Sequence, residues 1–185
     1  MREIRHKVPR LSQYKDVGIE DFDNFWQKRA CGIVSLVMVM KFFQPLIPTK
    51  TIDKLIMKGL EKECYIQGIG WKHKGIVELA KDFGFTGKTF DLANEEHEKA
   101  FKAFMKELEK QPVIVSIHKD FKLNGGGHLV AATGFKETMK KLSLEINDPD
   151  CKSKKWVRRV VSAERFKAGW KKRFIVIEPA AADLF

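Results

Sequence analysis

Cysteine is scarce in this chain: Cys31, Cys64 and Cys151 are the only three, far apart and without a CxxC pair. An odd, scattered set excludes a disulfide framework and a zinc ribbon. Cys64 with His73 and distant residues fits no common zinc-ligand spacing, so neither a metal nor a cofactor is expected. Long apolar runs are missing too. The longest, Ile33 to Met40, falls short of the ~18 residues that span a bilayer. The opening Met-Arg-Glu-Ile-Arg-His-Lys has no apolar stretch behind it, so it does not read as a signal peptide. Internal repeats, low-complexity tracts and a GxxxxGK[ST] phosphate loop are also absent. A cytoplasmic protein is the simplest expectation.

Acidic residues are outnumbered, 24 against 35 lysines and arginines, giving +11 and a pI near 9.6. That balance draws acidic partners over long range: nucleic acid, anionic lipid surfaces or acidic polypeptides. The basic residues are spread, with the tightest cluster between Lys152 and Lys172. A lysine-rich solvated surface explains them more simply than a dedicated polyanion site. No nucleic-acid recognition motif accompanies them.

The hydrophobic fraction, 44%, is that of a folded protein, and 185 residues suffice for one domain with a real core. Residues 1 to 30 read as irregular. A helix from about Cys31 to Phe43 is apolar almost all round, which marks it as buried on every side. Spacing predicts further helices from Thr49 or Thr51 to about Leu60, from Lys72 to Phe83, and from Asn94, as its cap, to Lys110. The pattern then changes. Pro112 to Ile117, Leu129 to Phe135, Leu142 to Asp148, Lys155 to Val161 and Phe174 to Ile177 read as strands, with a short helix capped by Ser162 before the last. This order predicts an α+β fold: one domain over residues 1–185, mainly helical to about 110 and mainly antiparallel strands over about 111–178.

Cys31 opens the buried helix, where backbone N–H groups and the helix dipole stabilise an anion and lower a thiol pKa. Gly32 behind it leaves room for a substrate backbone, and Arg29 adds positive potential. A buried structural cysteine is the competing reading. Among five histidines, His128 is the best base, because Gly125-Gly126-Gly127 forms a lip before it. A Cys–His pair works best with a third group that holds the imidazole. Period 2 puts Asp148 on the face shared by Leu144 and Ile146, and an antiparallel hairpin brings that face to His128. Asn147 has the opposite parity and reaches the ring only through a bulge. A turn-forming Asn-Asp-Pro with no chemical duty is the bland alternative.

The segments Val8-Pro9-Arg10-Leu11-Ser12-Gln13, Ala30-Cys31-Gly32 through Met40, Gly70-Trp71 through Val77, Gly127-His128 through Phe135 and Ile146-Asn147-Asp148-Pro149 occur in this order over nearly the whole chain. Together they resemble papain-like cysteine peptidases, closest to the bacteriocin-processing, double-glycine leader peptidase group and its stand-alone relatives. The resemblance implies a papain-like fold, with a buried central helix carrying the cysteine and an antiparallel sheet carrying the histidine and aspartate. It implies a cysteine hydrolase that cleaves a peptide or amide bond through a thioester: Cys31 as nucleophile, His128 as base and then acid, Asp148 as orienting group. It also implies an upstream glutamine as oxyanion donor. Gln13 is the choice and Gln27, nearer to Cys31, the alternative. A peptide or protein, acidic ones included, is the expected substrate. Two other readings stay open. One is a non-catalytic pseudo-peptidase module recognising an acidic peptide or other polyanion; the other is a related thiol acyltransferase or deamidase.

Overall fold

The computed structural model describes residues 1–20 and 22–181. Its centre is a seven-stranded antiparallel sheet. The strands are β1 (Arg2–Arg5), β4 (Phe85–Asp91), β5 (Val113–His118), β6 (Gly127–Glu137), β7 (Leu142–Asn147), β8 (Arg158–Ser162) and β9 (Trp170–Pro179), in the order β4-β9-β5-β6-β7-β8. The long β6 pairs with β5 along its first half and with β1 along its second. A separate two-stranded hairpin joins β2 (Tyr65–Ile66) to β3 (Gly70–Trp71).

The central strands are nearly continuous apolar runs because both faces of the sheet are covered. On one face Ile114, Leu129, Ala131, Ile175 and Ile177 pack with helices α2 (Cys31–Phe43), α3 (Thr51–Glu61) and α4 (His73–Lys81). On the other, Val113, Val115, Val130, Ala132, Phe174 and Val176 pack with α5 (His97–Leu108) and α6 (Ala163–Gly169). Phe104, Phe166 and Trp170 form an aromatic nest on that second face. Each fully buried side chain of this kind contributes about 1.5–3 kcal/mol.

Helix α2 is buried along its length from Gly32 to Met40, and Ser35 Oγ donates to the Leu129 carbonyl of β6 at 3.2 Å. Gly32 sits in a tightly packed place. A Cβ at this position would meet Leu129 and Trp71 at 3.0 Å and Ile76 at 3.1 Å.

The first thirty residues are more ordered than their composition suggests. β1 pairs with β6, His6 N–H donates to Thr133 O at 2.8 Å, and the His6 ring lies 2.7 Å from Leu108 O. A short helix α1 (Gln13–Asp16) follows, capped by Ser12. The mainly helical stretch to about 110 also supplies β4, an edge strand. Gly87 interrupts its pattern and only Phe85 is buried, so it shows no apolar alternation. α5 starts at His97 rather than at an Asn94 cap: its N-cap residue is Glu96, which makes no side-chain cap bond.

β1 reaches β6 closely at Gly134, where a Cβ would stand 2.1 Å from the Ile4 carbonyl oxygen. Gly134→Ala is therefore expected to lower stability by about 1–3 kcal/mol, read as a lower urea midpoint with the slope unchanged.

Candidate active site

Two parts of the fold bring Cys31 and His128 together. α2 begins at Cys31, with Ala30 as an N-cap residue that offers no side-chain bond, so the helix's first N–H groups face the thiol without a competing cap. β6 begins at Gly127-His128. The helix–sheet packing at Leu129 and Ser35 sets these two starts beside each other.

His128 is buried, and its Nε2 lies 2.7 Å from Asp148 Oδ1. The β6–β7 register pairs Ala131 with Asn147 and Ala132 with Ile146, and the bulge falls farther along, between Ala132 and Gly134. Asp148 follows in the same register and meets the ring, as side-chain parity requires. Asn147 is directed elsewhere: its Nδ2 donates to Pro9 O at 3.1 Å and to Val8 O at 3.4 Å. Asp148 has two further partners. Arg159 Nη1 donates to Oδ2 at 2.8 Å, and the Asp150 N–H donates to Oδ1 at 3.0 Å.

These contacts fix the protonation pattern. Burial would raise the Asp148 carboxyl, but the His128 hydrogen bond and charge, the Asp150 amide and Arg159 outweigh it and bring it from 3.8 to about 2. An ionised carboxylate only accepts, so Nε2 carries a proton and Nδ1 is left for the thiol. Burial would depress His128, yet hydrogen bonds to Asp148 and Cys31 raise it from 6.5 to about 10. For Cys31, burial pushes the thiol up. The hydrogen bond and charge of His128, then the backbone N–H groups of Leu129 and Gly32, reverse this and lower it below 9.0. Both shifts favour the thiolate–imidazolium form of the pair. Cys64 is raised by burial, and Cys151, also chiefly by burial, is raised to about 11.

Cys31 is half-buried and lies between two open clefts. The larger, about 420 Å³, is lined by Gln13, Arg29, Tyr65, Trp71, Lys119 and Asp150 among others. The smaller, about 180 Å³, runs past Trp71, Ser116 and Leu129. Gln13 is only 2% exposed. The N-terminal strap puts it there: its backbone N–H donates to Pro149 O at 2.9 Å, and the Ser12 hydroxyl donates to Cys151 O. Its side-chain Nε2 donates to Asp150 Oδ1 at 3.1 Å. Gln27 lies in a 3-10 turn over Trp26–Lys28 and lines neither cleft. The triple glycine adopts no left-handed backbone, unlike Gly68 and Gly70 across the cleft. Gly125 makes a tight turn against Lys119 O, whereas Gly126 faces open space.

Sequence patterns do not single out Asp150, Tyr14 or Arg159. Asp150 collects Gln13, the Tyr14 hydroxyl at 2.7 Å and the Lys119 ammonium. Its one signal is its place two residues beyond Asp148, where a chain turning at Pro149 returns to the site.

A profile of the Peptidase_C39 like family matches residues 5–174. No curated protein sequence matches. Among solved structures, the chain is similar to a double glycine motif protease from an AMS/PCAT transporter in complex with the leader peptide. Identity is 19%, the TM-score 0.58, and 97% of this chain and 99% of that one are covered. It is also similar to the peptidase domain of Streptococcus ComA, a bi-functional ABC transporter involved in a quorum sensing pathway. Here identity is 23%, the TM-score 0.56, and coverage 87% and 96%. The architecture is the α+β, papain-like fold of these domains.

The lowered Cys31 thiol, against raised Cys64 and Cys151, leads us to expect that iodoacetamide modifies Cys31 first in the folded protein at pH 7. Peptide mapping by mass spectrometry checks the order. The ion pair has its own signature in stability. His128, raised from 6.5 to about 10, contributes fully below 6.5 and loses its contribution as pH rises through about 10. Asp148, lowered from 3.8 to about 2, contributes above 3.8 and loses it as pH falls through about 2. The loss in Tm caused by Asp148→Asn should thus be largest between these limits, from 3.8 to 6.5, and shrink on both sides, as melts across pH would record.

Proposed function

The chain belongs to the Peptidase_C39 like family and is a cysteine peptidase-like hydrolase, and from that footing we propose that it cleaves a peptide bond through Cys31, His128 and Asp148 by way of a thioester. The observation that carries this reading is the 2.7 Å contact of His128 Nε2 with Asp148, with the ring's other nitrogen left for a thiol that opens onto two clefts.

In this reading the Cys31 thiolate attacks the scissile carbonyl carbon. The carbonyl oxygen gains the negative charge, and the Cys31 backbone N–H and the Gln13 amide donate to it. Asp150 accepts one Gln13 N–H at 3.1 Å, and in this reading the other N–H serves the oxyanion. The His128 imidazolium gives its proton to the leaving amine as the C–N bond breaks. Water, deprotonated by the now neutral ring, attacks the thioester, and the acid product leaves with Cys31 restored. Asp148 orients the ring and supports its charged form throughout.

Cys31 lines both clefts, together about 600 Å³, within the range of space that binding sites offer a ligand. The neighbouring double glycine motif protease binds a leader peptide, which makes an extended peptide the first substrate class to try. The net charge of +11 favours encounter with acidic ones.

Cys31→Ala is expected to lower kcat by at least about 10⁴-fold on any peptide the wild type cleaves. Its thermal stability should stay within ~1 kcal/mol, since alanine suits the first turn of a helix. Turnover that survives in the variant, measured by chromatography of the cleaved peptide, removes the thioester route.

A further inference from the structure

The smaller cleft carries more positive charge than its surroundings neutralise. His73, Lys171 and Arg173 all line it, beside Cys31 and His128. Arg173 Nε has a carboxylate partner, Asp91 Oδ2 at 2.9 Å. Lys171 has none: among the described residues no acidic group lies within ion-pairing distance of its ammonium. The lysine is half-buried, and its Nζ stands 3.3 Å from where a Cβ on Gly127 would be. Most long cations on this protein extend into solvent or meet an acid; this one lies over the residue that precedes His128.

The backbone explains why it points there. β9 pairs with β5 through Ser116–Arg173, then slips to Ile117–Trp170, so that Lys171 and Lys172 form a bulge. Lys172 takes a left-handed φ of 54°, costly for a non-glycine residue. Its carbonyl accepts Leu92 N–H and its ammonium is used at Glu95 O, away from the cleft. Bulges beside reactive sites re-aim a side chain, and here the side chain re-aimed into the cleft is Lys171. His73 responds to the excess charge. Burial lowers it first, Arg173 and Lys171 lower it further, and only Asp91 opposes them. Ser116 adds a hydroxyl among these groups. The cleft is thus a concave site with a cation that no carboxylate among the described residues satisfies.

We propose that the smaller cleft is a carboxylate-binding subsite, in which Lys171, seconded by Arg173 and Ser116, receives an acidic side chain of the peptide lying next to the scissile bond. The inference rests on the reading of Cys31 as the nucleophile. It turns a general preference for acidic partners into a local one: Asp or Glu close to the cut, on the Trp71–Ser116 side of Cys31.

The test uses small alkylating agents on the purified wild-type chain, so it needs no known substrate. Iodoacetate carries the carboxylate that the subsite would hold; iodoacetamide is its neutral counterpart. Second-order rates of Cys31 modification are measured with both reagents for wild type, Lys171→Gln, Lys171→Arg and, as a control for net charge, Lys140→Gln on the exposed β6–β7 turn. The expected result is that Lys171→Gln lowers the iodoacetate rate about fivefold or more while the iodoacetamide rate holds. Lys171→Arg should keep the wild-type ratio, and Lys140→Gln should leave it unchanged. Thermal melts establish that each variant is folded. Equal ratios in wild type and Lys171→Gln overturn the subsite while leaving Cys31 as nucleophile untouched. A drop as large in Lys140→Gln also overturns it, since the effect is then bulk charge. Failure of iodoacetamide to modify Cys31 at all overturns the reading of the nucleophile, and the subsite with it.

Discussion

The packing of α2 across β6 decides where Cys31 and His128 meet. A helix buried from Gly32 to Met40 cannot shift along its axis without opening voids around Leu36, Val37 and Met40. The Ser35–Leu129 hydrogen bond pins it to the strand one residue beyond His128. The start of the helix and the start of the strand are thereby held together, and Cys31 and His128 are the residues at those starts. Little flexible chain intervenes, so the approach of sulfur to imidazole is a property of the core. Even Gly32 serves this contact, because a Cβ there would press on Trp71, Leu129 and Ile76 at 3.0–3.1 Å.

A second layer of constraint surrounds Asp148. Its two oxygens take His128, the Asp150 amide and Arg159, so the carboxylate has little freedom to rotate. Asn147, one residue earlier and on the other side of the strand, ties down the Val8-Pro9 segment. Two adjacent residues of one strand thus do separate work. One fixes the imidazole; the other fixes the strap that carries Gln13 into the larger cleft. The buried polar groups near the site form a linked set in which Asp150 joins Gln13, Tyr14 and Lys119, and such sets hold geometry when nearly every member is satisfied.

Much of this is legible in the chain before any coordinates. The apolar helix after Cys31 and the run Val113 to Ile117 declare themselves because burial on all sides leaves no polar period to confuse the pattern. Asp148 can be told from Asn147 by parity, since the slip in register lies at Thr133, beyond the stretch that matters. β1 and β4 stay hidden for the opposite reason: they are short or lie at an edge, bury few residues fully, and take their conformation from partners far away in sequence. The same applies to Asp150, Arg159 and Lys171. Nothing local distinguishes them from other charged residues on a basic surface. Their significance comes from a turn at Pro149, a neighbouring strand and a bulge, which are properties of the assembled sheet.

The N-terminal strap has a consequence in time. β1, the Val8-Pro9 segment and Gln13 are made well before the β6, β7 and Pro149-turn residues that pair with them. β9, which lines the smaller cleft, is made later still and enters the sheet between two strands already synthesised. Translation at ~5–20 residues per second leaves the opening segment waiting for seconds without a template. A nascent chain with its buried helix already made therefore holds Cys31 without His128, a docked strap or a finished cleft. The thiol acquires these neighbours only when the second half of the chain is in place, so its surroundings are completed with the fold and not before it.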